Sequence, residues 1–537
     1  MSAVLTTAPS PGTMKISDLQ TGFRILSRLP LADSHQAQVE INQFLDSLLK
    51  APPPSDVYLQ LLEQTRISLC FIEEQLSREY TSKALPLCER EETAFQQVVA
   101  TWLKASRAYA HCAQLHAGDV GGSEADRVAL ILHRCIYYTG MAITEHHRAR
   151  RQLPHGMWLN LHGFYATAEE WGVATLAVPD SLDPLGRSTH CTAAFAGQLL
   201  TELAGPYSLS VEQLGVVRRW ATNWAPLLSV HSVLPGEALP PTVVDLMKDA
   251  GLGPASQFVQ TENIRRIDSA RLALQINQTI KQLQQKIPPS QLGLGEDYTA
   301  SQCQRLLRRL ARPWSLLRAG RKFRRHLSAG NAKVCAGFAG MHYFISGTEF
   351  RQPESARLYS REEFDRLFTF RHGLDPTQRL EVRQTELGFA VDDWEVLDQS
   401  ANGFRLVRST NGRRLAPEQL LSICPQDSDV HLLAQVVWLM QEQGGSLMAG
   451  ISALPGKPQA VAARPLAREP GQAELYSRAF ILPAVAAIAT EQSLIIPRGW
   501  FYAGRLLEVY LDQMIRVRLD RLVGSGEDFD RVTFSVA

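Results

Sequence analysis

No CxxC pair occurs among the eight cysteines, which stand singly at positions 70, 88, 112, 135, 191, 303, 335 and 424. That spacing argues against a zinc framework or a thioredoxin-like site and reads as scattered thiols in a reducing compartment. No uninterrupted apolar run approaches the ~18 residues of a spanning helix. The best candidate, Phe480 to Ile488, is short and holds Pro483. The N-terminus lacks the charged start and apolar core of a secretion signal, so a cytoplasmic protein is expected. Charge of one sign is also lacking. A net charge of +1 gives no global pull toward nucleic acid or anionic lipid, which argues against a nucleic-acid partner. G-x-S-x-G, Walker A, H-E-x-x-H and dinucleotide motifs are missing, so the chain is read as no enzyme, with no metal and no cofactor.

A chain of 537 residues with 45% hydrophobic and 20% charged residues is a multidomain globular protein. Residues 1–16 form a Pro/Ser/Thr-rich tail. From 17 to 286, apolar residues recur at spacings of three and four, as in Ile41, Phe44, Leu45 and Leu48. Helices are expected over 36–49, 56–80, 89–117, 124–150, 188–204, 210–227 and 262–286, making an all-α bundle or stack. Trp158, Leu161, Tyr165 and Ala168 give one such stripe, widened by Phe164 and Trp171, and read as core. Glu145, His146 and His147, with His155 and His162 nearby, offer metal-ligand chemistry. Adjacent histidines on a helix diverge by about 100°, however, and solvated or capping rings are the plainer reading.

Residues 287–330 read as a Pro/Gly-rich linker followed by a basic helix. Between Cys303 and His326 lie nine Arg and Lys residues without one acidic residue, and Pro313 interrupts the pattern. Arg305, Arg308, Arg309 and Arg312 form an anion or partner patch, or a solvated face paired with nearby carboxylates.

The period changes after residue 331. Val334 to Ile345 is rich in β-formers with glycine interruptions and reads as a bent strand. A short helix is expected at 361–369. Short strands then follow near 394–397, 404–407, 418–423, 430–440 and 446–452, and again at 477–483, 492–497, 515–519 and 531–536. Their spacing suggests an antiparallel barrel within a β-rich domain spanning 331–537.

Asp398-x-Ser400-x-x-Gly403 lies between two of these strands. Together with the later Ala434–Trp438 and Gly450-Ile451 strands, it resembles the [D/N]-x-S-x-x-G signature of PilZ domains. Arg379-x-x-x-Arg383 resembles the family's R-x-x-x-R loop, placing a PilZ-like segment at about 376–465. Only 14 residues separate Arg383 from Asp398, fewer than the family leaves for a first strand and its return. Either the barrel is trimmed or the arginine pair matches by accident. The resemblance implies a small β-barrel binding the bacterial messenger cyclic di-GMP through Arg379, Arg383, Asp398, Ser400 and Gly403. Function would then be that of an effector or adaptor whose helical domain engages a protein partner. A nucleotide-independent scaffold on a degenerate PilZ fold is the alternative. The fold class expected is α+β: an N-terminal helical bundle followed by a C-terminal antiparallel barrel.

Overall fold

The computed structural model describes residues 16–116, 124–183, 186–234, 236–317, 324–328, 330–353, 388–466 and 475–537. The chain divides into two compact units. One is Met1–Lys83 with Leu87–Gly320, and the other is Ala84–Pro86 with Arg321–Ala537.

The first unit is built on α1 (Leu19–Leu26), α2 (Ser34–Lys50), α3 (Ser55–Ser77), α4 (Glu89–His116), α5 (Glu124–Arg148), α6 (Met157–Glu170), α7 (Cys191–Leu203) and α8 (Val211–Trp224). Helix α5 runs through the centre and is buried along most of its length. Its first turn carries Glu124 and Asp126 and its last Arg148, a charge order that complements the helix dipole. The α6 stripe of Trp158, Leu161, Tyr165 and Ala168 is buried in the same core, whereas Trp171, past the end of that helix, is half exposed.

The unit is not helical throughout. β1 (Ser229–Ser232), β2 (Thr242–Asp245), β3 (Gly253–Pro254) and β4 (Ile264–Asp268) form an antiparallel sheet in the order β1-β4-β2-β3. Strands this short give no readable period, and β4 takes the start of a segment expected to be helix, leaving α9 at Ala270–Gln284. Val233, Val243 and Ile264 make a small core of their own.

Helix α10 (Ala300–Trp314) opens on a capping box. Gln302 N donates to Thr299 Oγ1 at 3.4 Å, while Thr299 N donates to Gln302 Oε1 at 2.9 Å. Cys303, Leu306, Leu307, Leu310 and Trp314 are buried, and Trp314 Nε1 donates to Leu200 O at 2.8 Å. The basic helix is therefore one wall of the helical core rather than part of a linker. Pro313 falls in its last turn, where the helix ends.

In the second unit, β5 (His326–Leu327), β6 (Asn331–Ala336), α11 (Phe338–Ser346), β7 (Asp392–Ser400), β8 (Gly403–Arg408), β9 (Leu420–Pro425), β10 (Leu432–Gln441) and β11 (Leu447–Ala453) follow in order. Strand pairings close a ring β6-β7-β8-β11-β10-β9, with β5 continuing beside β7. A second closed barrel, β12-β13-β14-β17-β16-β15, uses β12 (Gln459–Pro465), β13 (Ser477–Leu482), β14 (Ser493–Pro497), β15 (Leu506–Tyr510), β16 (Met514–Ser525) and β17 (Phe529–Val536).

The bent strand expected over 334–345 is a strand only as far as Ala336. Gly337, at φ 89°, turns the chain into α11. Packing overrides the β-propensity of these aromatics. As a helix the segment inserts Met341 among Leu420 and Leu433 of the first barrel and Phe480, Leu482, Ile495 and Phe529 of the second. The helix expected at 361–369 lies outside the described residues.

Candidate functional site

Along β7, Trp394 and Val396 point into the first barrel, and strict alternation would send Asp398 after them. A register shift between Val396 and Asp398 prevents this. Val396 faces the buried Leu406, but Asp398 faces Arg405, and residues directly opposite on paired strands share a face. The extra residue, Leu397, is a bulge that turns Asp398 to the outside of the barrel.

Ser400 follows on the same face and pairs with Gly403, so Ala401 and Asn402 make a two-residue turn. Ser400 Oγ donates to Gly403 O at 3.3 Å. A Cβ at position 403 would sit 3.2 Å from Ile451 O and 3.4 Å from Ser400 Oγ, so the glycine lets the hairpin close against β11.

Asp398 is only 7% exposed because two arginines cover it. Arg325 Nη1 donates to its Oδ1 at 2.9 Å, and Arg405 Nε lies 2.8 Å from its Oδ2. Arg325 reaches it because Leu327 of β5 pairs with Asp398 itself. A few residues away, Arg408 of β8 occupies the core face. It lies 3.4 Å from Asp392 and over the Trp394 ring, and burial lowers its pKa against the pull of Asp392.

Arg379 and Arg383, expected to supply the anion-binding loop, lie outside the described residues. Arg325 was missed as a candidate at this site, although a signal was present. Arg321-x-x-x-Arg325 has the same spacing as Arg379-x-x-x-Arg383 and stands directly before the barrel's first strand. Of that pair, Arg325 is described and meets the signature aspartate. Arg324 beside it is exposed.

The other sequence candidates lie in the first unit. Arg305, Arg308, Arg309 and Arg312 project from the exposed side of α10, and Arg309 Nη2 donates to Ser208 O at 3.1 Å and Ser208 Oγ at 2.6 Å. Among the described residues no group of three or more His, Cys, Asp or Glu comes together as a metal site. His146, His147 and His162 are buried rather than solvated. An open cleft of about 760 Å³, lined by His342, Tyr343, Phe350, Ala460 and Tyr510, lies against α11 and the second barrel and does not include Asp398. No helix among the described residues is long and apolar enough to cross a membrane.

Domain profiles of known proteins match three stretches of the chain. Residues 23–236 match the N-terminal domain of the cyclic-di-GMP receptor FimW, 243–365 match its middle PilZ domain, and 461–537 match the FimW C-terminal β-barrel domain. The cyclic-di-GMP receptor FimW of Pseudomonas aeruginosa is 24% identical over 556 aligned residues, covering 95% of this chain and 89% of the relative. These matches correct the placement of the PilZ resemblance, which was read at 376–465. The match is in the middle of the chain and includes β5, β6 and α11. The first barrel joins those elements to β7–β11, and Asp398–Gly403 lies in its β7–β8 hairpin, C-terminal to the matched stretch. The short gap from Arg383 to Asp398 needs no trimmed strand, because the first barrel strands precede both residues.

Proposed function

We propose, from the premise that this chain belongs to the PilZ-domain family, that it is a non-catalytic bacterial effector responding to cyclic di-GMP. The observation that carries this reading is the pairing of Arg325 with Asp398 on the outer face of the barrel, beside Ser400 and Gly403. Cyclic di-GMP presents two phosphodiester charges and two guanine edges. Arginine forks onto either, and carboxylate and hydroxyl groups accept or donate at the base. The Arg-x-x-x-Arg role is assigned to Arg321 and Arg325, the pair adjoining the barrel's first strand, in preference to Arg379 and Arg383. In the cytoplasm, the helical unit would engage a protein partner, with the exposed α10 arginines suited to an acidic surface.

Calorimetric titration of the full chain with cyclic di-GMP tests the assignment. Saturable binding is expected in the parent and in the Arg379→Ala/Arg383→Ala double variant. Arg325→Ala and Asp398→Ala are expected to lose at least about tenfold in affinity, the scale of one charge-assisted contact. Heat lost only in the 379/383 variant would move the anion loop there. A second reading has one observation in its favour: both oxygens of Asp398 are engaged by the protein's own Arg325 and Arg405. A parent that gives no heat at high micromolar nucleotide makes this a PilZ-fold scaffold.

A further inference from the structure

Arg405 lies in neither signature motif, yet its guanidinium makes the closest approach to Asp398 in the barrel. We infer that Arg405 is a positioning residue for the nucleotide, acting through Asp398; the inference rests on the nucleotide-binding reading above.

Asp398 is nearly buried and has two counter-ions of different character. Arg325 stands before a two-residue strand, β5, that pairs along one edge of β7. Arg405 is held inside β8, which pairs with β7 on one side and β11 on the other, with Gly450 as its β11 partner. An arginine that turns its full fork to a phosphate or guanine edge gives up its hold on Asp398, and Arg325, outside the barrel strands and bound through Nη1 alone, is placed to do so. A desolvated carboxylate stripped of all partners is strongly disfavoured. Arg405 prevents that outcome. It keeps Asp398 paired through Oδ2 and holds the carboxylate facing outward, with Oδ1 vacated toward the ligand. The Leu397 bulge sets up this arrangement, because only that register places Asp398 opposite Arg405. The geometry thus divides the labour between the two cations: Arg325 exchanges between Asp398 and the ligand, and Arg405 does not move.

The test is a calorimetric mutant cycle on the full chain with cyclic di-GMP. The PilZ signature accepts Asn as well as Asp at its first position, so Asp398→Asn is a binding-competent background that removes the charge Arg405 answers. Arg405→Ala is expected to weaken binding about tenfold in the parent. Arg405→Lys restores part of it by keeping the charge without the fork. Combined with Asp398→Asn, Arg405→Ala is expected to change affinity less than about twofold, because there is no longer an ion pair to lose. An undiminished tenfold loss in that background overturns the inference and makes Arg405 a direct ligand contact. Parent-like affinity of Arg405→Ala also overturns it, while leaving the nucleotide reading intact. Absence of heat in the parent overturns both. Thermal melts of each variant separate loss of binding from loss of fold, and recovery in the Lys variant excludes a purely structural effect.

Discussion

Single residues settle the shape of the first barrel around Asp398, and glycines do so twice. Gly403 leaves room for Ile451 O of the neighbouring β11, as described above. Gly450 lies under the indole of Trp438, its β10 partner, where an added Cβ would collide with the indole ring. The aromatic covers a backbone that has no side chain of its own. Gly450→Val is therefore expected to cost about 1–3 kcal/mol of stability, the usual cost of overpacking, and to shift the denaturant midpoint of the barrel unit. An unchanged midpoint would mean that the indole swings clear at no cost. The strand–turn–strand that holds Asp398, Ser400 and Gly403 was legible in the sequence. Arg405 was not, because nothing in a linear string shows that a bulge at Leu397 brings it opposite Asp398.

Secondary elements owe their positions to contacts far away in sequence. Helix α6 starts at Met157 with no side-chain cap of its own, and Asp249 supplies one. Its carboxylate accepts from Gly156 N at 2.6 Å and Trp158 N at 3.0 Å. On the buried side of α6, His162 packs against Trp158 and Phe195. Burial lowers its pKa from 6.5 to about 4, against the opposing pull of nearby backbone carbonyls and of Asp245 and Asp249. The unfolded chain thus takes up this proton first as pH falls. The neutral ring's contribution is complete above about pH 6.5 and is lost progressively between there and pH 4. His146, likewise lowered by burial to about 3, acts in the same direction. Melting temperatures compared at pH 7 and pH 4.5 should fall less in His162→Leu than in the parent. An identical fall in both would assign the acid sensitivity elsewhere.

For the whole molecule, Asp398 and the α10 arginines lie in different compact units. Ligand that binds only the folded barrel stabilises it by mass action, about 3 kcal/mol at a hundredfold excess over Kd. At a hundredfold excess over the parent Kd, cyclic di-GMP is expected to raise a melting transition fully in the parent and in the Arg305→Ala/Arg308→Ala/Arg312→Ala variant, but by no more than about half as much in Asp398→Ala. Scanning calorimetry reads this directly. Loss of the shift in the triple arginine variant would instead make α10 part of the nucleotide site.

Sequence alone determined the larger division, helices first and antiparallel barrel strands later. Amphipathic spacing survives in elements as long as α3, α4 and α5, and strand alternation survives between Gly- and Asn-marked turns. It also determined the hairpin at Asp398–Gly403, whose residue types belong to the turn itself. Tertiary structure decided the rest. The four short strands in the helical unit hold together only by pairing with one another. Phe338–Ser346 is a helix because its apolar surface is buried against two barrels at once. The partner of Asp398 follows from strand register, and register is set by cross-strand packing and a one-residue bulge rather than by any local pattern.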